Sequence, residues 1–189
     1  MLRNNNLDSG NVIFRQVIDK SELKKLAHAR LKDSKILCSE ERYGGAVYIC
    51  GYVIELGLKL RICKTLKWVG YPSTNREFND FKSFKTHNLD VLLALSGIEK
   101  EVKKQYLTEW SSTAIWDPES RYNPIGTMSK REAELMLNSA EKLLKILWNE
   151  HGSLALDTHI LDYILACGVI PTLRIEKWMR TDERNYRQV

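Results

Sequence analysis

The stretch RYGGAVYICGYVIELGLKLRICK, from Arg42 to Lys64, decides the fold. Tyr43, Val47, Cys50, Ile54 and Leu58 recur at helical spacing and form one apolar stripe, while Ile49, Val53, Leu56, Leu60 and Cys63 form a second. Two stripes leave a helix little face for water. The segment must therefore be buried on more than one side, as the axis around which other helices pack. Its glycines, Gly44, Gly45, Gly51 and Gly57, each cost about 1 kcal/mol in a helix interior relative to alanine. That cost is tolerable where a glycine admits a close neighbour. Glu55 and Lys59, four residues apart, are placed to pair along the helix.

Working outward, the central helix is expected to start near Ser39, with Glu40 and Glu41 facing the positive end of its dipole. Upstream, Asp19 or Ser21 can cap a helix running to about Leu37, whose apolar positions are Leu23, Leu26, Ala27 and Leu31. Downstream, Trp68 to Lys85 carries the loop signals Gly70, Pro72, Ser73 and Asn75. Thr86 then caps a short helix from His87 to about Ser96, stopped by Gly97. Another helix spans about Glu99 to Ser112, with Val102, Tyr106, Leu107 and Trp110 as its apolar side.

The sharpest start signal is Ser129-Lys130-Arg131-Glu132, which matches a capping box. Ala133, Met136, Leu137, Ala140, Leu143, Leu144 and Leu147 follow at core-facing spacing up to His151-Gly152. Beyond Gly152, Asp157 to Ala166 can form one more helix, closed by Gly168 and Pro171. The organisation is then a polar N-terminal arm over 1–18, a helical bundle over 19–152 and a C-terminal helical extension over 153–189.

The chain has 189 residues, 43% of them hydrophobic and 28% charged, which suits one globular domain with an elaboration and excludes wholesale disorder. The net charge of +5 is mild, but it is unevenly placed. Lys59, Arg61, Lys64, Lys67, Arg76, Lys82 and Lys85 stand against only Glu77 and Asp80, so the stretch from Lys59 to His87 alone matches the excess of the whole chain. Such a field attracts phosphates or acidic partners, although a solvated helix end rich in lysine reads the same way.

Cys38, Cys50, Cys63 and Cys167 form no C-x-x-C pair and are expected to be reduced core residues. The N-terminus has no apolar signal core, and no run approaches the ~18 apolar residues of a membrane span, so a cytoplasmic protein without membrane contact is expected. There is no Gly-rich phosphate loop, no G-x-S-x-G and no H-E-x-x-H, and no cofactor or metal is expected. Asp157-x-His159 lacks further ligands and reads as a capped helix start.

Several short strings then fall in a telling order. Tyr43-Gly44-Gly45-Ala46 opens the central helix, which carries Glu55 and Lys59. Lys85-Thr86-His87-Asn88-Leu89 opens the next helix, and Arg121-Tyr122 lies in the loop before the last amphipathic one. From Ser21 to His151 this arrangement resembles the HEPN domain family (higher eukaryotes and prokaryotes nucleotide-binding), an all-α bundle of about five helices. The resemblance implies a dimeric module that binds nucleotide or RNA and acts with a partner such as a small nucleotidyltransferase. Many members serve in toxin–antitoxin or defence systems.

The resemblance also implies candidate residues. Lys59, Lys82, Lys85, His87 and Arg121 are the candidates for holding a phosphate. His87 instead suits a hydrogen bond that fixes the start of its helix. Arg121 instead suits an ion pair with a carboxylate such as Glu55, with Tyr122 filling the core. Many relatives are ribonucleases marked by Arg, four to six residues, then His on the last bundle helix. Here no histidine has an arginine at that distance, and the nearest analogue is Lys145 with His151. Lysine neutralises a phosphate without the bidentate fork, and a basic residue before Gly152 also suits a helix end. A binding and assembly module is therefore the leading expectation, and a metal-independent endoribonuclease using Lys145 and His151 the alternative.

Overall fold

A computed structural model describes residues 17–74 and 82–148. They form an all-α bundle with one small ribbon. Strand β1 is Val17–Asp19, α1 is Lys20–Ser39, α2 is Tyr43–Thr65 and strand β2 is Gly70–Pro72. A 3-10 turn, Lys82–Phe84, leads to α3 (Leu89–Ser96), α4 (Glu99–Gln105) and α5 (Leu107–Ala114). A second 3-10 turn, Pro118–Tyr122, precedes α6 (Lys130–Trp148). The C-terminal extension and its expected helix lie outside the described residues.

The central role of Arg42–Lys64 is borne out. From Ala46 to Leu66 no residue of α2 or its cap is exposed. Helices α1, α3 and α6 pack on it from different sides, and α5 lies on α6. Leu23 comes from α1, Leu92 and Leu93 from α3, and Ala140, Leu143 and Leu144 from α6, all buried in one cluster with Ile54 and Leu58. Fully burying a leucine side chain contributes about 1.5–3 kcal/mol, so this cluster dominates the stability of the bundle.

Local signals explain most boundaries. Asp19 caps α1 by accepting from the Glu22 amide at 2.8 Å. The capping box closes reciprocally: the Ser129 hydroxyl accepts from the Glu132 amide at 3.3 Å, and the Glu132 carboxylate from the Ser129 amide at 2.8 Å. Gly97 ends α3 with φ of 79°.

Some boundaries differ from expectation. Helix α1 continues to Ser39, and Glu41, at φ of 57°, turns the chain before α2 begins at Tyr43. Glu40 and Glu41 thus end one helix rather than start the next. Asn88, not Thr86, caps α3, accepting from the Val91 amide at 3.0 Å. The segment expected over Glu99 to Ser112 is two helices broken at Tyr106, where no glycine or proline marks the break, and Leu107 is exposed. Val17 and Ile18, assigned to the arm, pair with Pro72 and Tyr71 in an antiparallel ribbon.

Two glycines of α2 do admit close neighbours. The indole of Trp116 lies directly over Gly51, and a Cβ at Gly57 would meet Leu144 and Leu147 of α6 at 2.9 Å. Around Gly44, by contrast, nothing lies within 4 Å. Opposite signs are therefore expected on substitution. Gly51→Ala should lose about 1–3 kcal/mol by overpacking, whereas Gly44→Ala should gain up to about 1 kcal/mol in helix propensity. Urea denaturation of both variants measures this, and a stabilised Gly51→Ala would refute the close packing of Trp116.

Candidate functional site

Among the apolar side chains of α2 runs one polar line: Tyr48, Tyr52, Glu55 and Lys59, at i, i+4, i+7 and i+11. These residues share a face of the helix. The Tyr48 and Tyr52 hydroxyls lie 3.0 Å apart, with their rings edge to face at 5.3 Å. Trp116 packs edge-on to Tyr52 at 5.0 Å and donates its indole N–H to the Tyr48 carbonyl at 3.1 Å. The hydrogen bond to Tyr48, together with burial, pushes the Tyr52 phenol up to about 12, so it stays protonated at neutral pH.

Glu55 is the centre of the line. Its side chain is 4% exposed, and both of its oxygens are used. Lys59 donates to Oε1 at 2.5 Å, and Nδ1 of His87 lies 2.9 Å from Oε2. A buried carboxylate is costly unless paired and hydrogen-bonded. Here it is satisfied once from its own helix and once from the segment before α3. The Lys59 ammonium also lies 5.2 Å from the centre of the Tyr71 ring.

Beside this cluster three aromatics of the connection from α2 to α3 belong to the core. Trp68, Tyr71 and Phe84 are buried, the Trp68 and Phe84 rings are 4.9 Å apart, and the Tyr71 hydroxyl donates to the Phe84 carbonyl at 2.6 Å. This packing holds the segment that bears Lys82, Lys85 and His87, and His87 reaches Glu55. All three are exposed.

The candidate residues thus fall into groups. Lys59 and His87 meet on Glu55, and Lys82 and Lys85 flank Phe84 in the segment beside them. The hydrogen bond of His87 runs across to Glu55 of α2, from the residue directly before Asn88, which caps α3. Arg121 does not pair with Glu55, whose oxygens are already taken. It bonds to Glu119 at 2.9 Å and the Pro118 carbonyl at 3.1 Å, with its guanidinium 4.6 Å from the centre of the Tyr122 ring. Contact with Tyr122, then the charge of Glu119, raises its pKa above the ordinary value. Tyr122 itself is 72% exposed and fills no core.

Lys145 is exposed in the last turn of α6, and His151 and the Asp157-x-His159 string lie outside the described residues. Sequence reasoning missed Tyr48, Tyr52 and Tyr71. The first two had a signal, since they continue the helical spacing of Glu55 and Lys59 toward the N-terminus. Tyr71 had none, because its partners come from a loop.

A second concavity of about 390 Å3 lies between the end of α1 and the start of α6, lined among others by Lys35, Cys38, Tyr43, Lys130, Glu134 and Glu141. Its charges are largely paired, Lys35 with Glu141 and Lys130 with Glu134. Among the described residues no group of three or more His, Cys, Asp or Glu can hold a metal ion, and no helix is long and apolar enough to cross a membrane. Cys38, Cys50 and Cys63 are free thiols, and burial pushes both Cys50 and Cys63 up to about 12, as suits core residues. Cys167 lies outside the described residues.

Compared with protein-family models, with curated proteins and with solved structures, the chain has no significant match.

The geometry makes Glu55 and Lys59 energetically coupled. Glu55→Leu should lose about 3 kcal/mol, because the ammonium and imidazole lose their acceptor. Adding Lys59→Met should recover more than half of that loss. A double-mutant cycle by urea denaturation measures the coupling, and simple additivity of the two losses would contradict it.

Proposed function

We propose that the chain is a HEPN-like binding and assembly module whose ligand face is built on Glu55, Lys59 and His87. The observation that carries this reading is the buried Glu55 clasp, with Lys82 and Lys85 exposed on the segment it holds. Lysine ammoniums are donors only and suit phosphate oxygens. A solvated helix end would require no buried carboxylate to fix a basic segment in place. Here the carboxylate and the Tyr71–Phe84 hydrogen bond hold that segment against α2.

The ligand proposed is a nucleotide or RNA phosphate. Arg121 is the outlying member of the face, carried by the second 3-10 turn, which packs against α2. By the same resemblance the module works as a homodimer with a partner such as a nucleotidyltransferase, in a toxin–antitoxin or defence-type system. Ribonuclease chemistry by Lys145 and His151 is the alternative reading; Lys145 is exposed on α6, and His151 lies outside the described residues.

Fluorescence anisotropy with a labelled single-stranded oligoribonucleotide tests the face. Affinity should fall as salt rises, with a slope near −1.4 to −2 in log Kobs against log salt for about two to three phosphates. The Lys82→Glu/Lys85→Glu variant should bind about tenfold or more weakly, through loss of two phosphate contacts and added repulsion. Binding that ignores both salt and charge reversal would refute the proposal.

A further inference from the structure

We infer that Glu55 fixes the hydrogen-bonding role of His87, so that this face selects a ligand with a hydrogen-bond donor beside its phosphate, as a ribose phosphate has. The inference rests on the reading that the face binds phosphate, and adds what the phosphate must be attached to. An ionised carboxylate can only accept, so the 2.9 Å contact to Glu55 requires the proton of the ring on Nδ1. Glu55 already carries a cation on its other oxygen, the Lys59 ammonium at 2.5 Å. A single ring proton, on Nδ1, therefore completes the pairing of the carboxylate.

In that tautomer Nε2 bears a lone pair. The His87 side chain is 60% exposed while Glu55 is 4% exposed, and among the described residues the ring makes no other hydrogen bond. The surface consequently presents two kinds of group. Lys82 and Lys85 offer only donors and take phosphate oxygens, whereas Nε2 is an acceptor that repels them and takes a hydroxyl. A ribose 2′-hydroxyl supplies that donor, and deoxyribose does not. Glu55 acts here as a positioning residue, and His87 as the group that touches the ligand.

Substituting the positioning residue reverses the role. In Glu55→Gln the Lys59 ammonium claims the amide oxygen, which leaves the NH2 group facing Nδ1. The ring must then accept at Nδ1 and carry its proton on Nε2, where it becomes a donor. A purely structural clasp would show no such exchange of preference.

The test titrates the full chain against three labelled single strands of one sequence: ribose, 2′-deoxyribose and 2′-O-methylribose, the last keeping the oxygen but not the donor. The parent protein should bind the ribose strand about five- to tenfold more tightly than either of the others. His87→Phe should bind all three at about the parent's deoxyribose affinity. Glu55→Gln, checked for folding by circular dichroism, should lose the ribose preference yet keep its salt-dependent binding. Equal binding of the three strands by the parent would overturn the inference while leaving phosphate binding intact. A ribose preference that survives in His87→Phe would also overturn it. Failure to bind any strand would overturn both this inference and the phosphate reading beneath it.

Discussion

Burying α2 against α1, α3 and α6 sets two demands that shape the rest of the bundle. Its backbone must let neighbours approach, and its few polar side chains must find partners without help from bulk water. Gly51 and Gly57 meet the first demand, one beneath the Trp116 indole and the other against Leu144 and Leu147. Glu55 poses the second. A carboxylate this buried would cost several kcal/mol if left alone. Lys59 from the same helix and His87 from beyond the ribbon satisfy it together.

That solution has structural consequences. To reach Glu55, the segment before α3 must run back along α2, and it does so by burying Phe84 against Trp68 and Tyr71. The ribbon of β1 and β2 places Tyr71 under the Lys59 ammonium. The described parts of this connection are packed through Trp68, Tyr71 and Phe84, while Lys82 and Lys85 beside Phe84 are exposed. The polar line of Tyr48, Tyr52, Glu55 and Lys59 runs along the helix. Core packing and candidate function thus share the same residues, with Glu55 as the joint between them.

Much of this was legible from residue order. The double stripe of Arg42–Lys64 demanded a central helix, and the Ser129–Glu132 box and the run to Leu147 fixed α6. The Glu55–Lys59 pair followed from spacing of four. Contacts between distant segments were harder to read. Nothing local says that the hydrogen bond of His87 will reach 32 residues back to Glu55, or that Glu55 will thereby be closed to Arg121. Likewise Gly70, Pro72 and Ser73 are honest loop signals, yet a three-residue strand fits within them because its pairing partner, Val17–Asp19, lies some fifty residues away. Tyr122 looked like a core aromatic by composition, but its loop projects it outward.

The central claim is that a buried Glu55 holds His87 by Nδ1 and leaves Nε2 as an acceptor. Long-range proton–nitrogen NMR on the 15N-labelled protein reads this directly, since protonated and bare ring nitrogens resonate far apart. At neutral pH the His87 ring should show a protonated Nδ1 and an unprotonated Nε2, in the parent protein without ligand. A proton on Nε2 with Nδ1 bare, or a ring averaging freely between tautomers, would contradict the account.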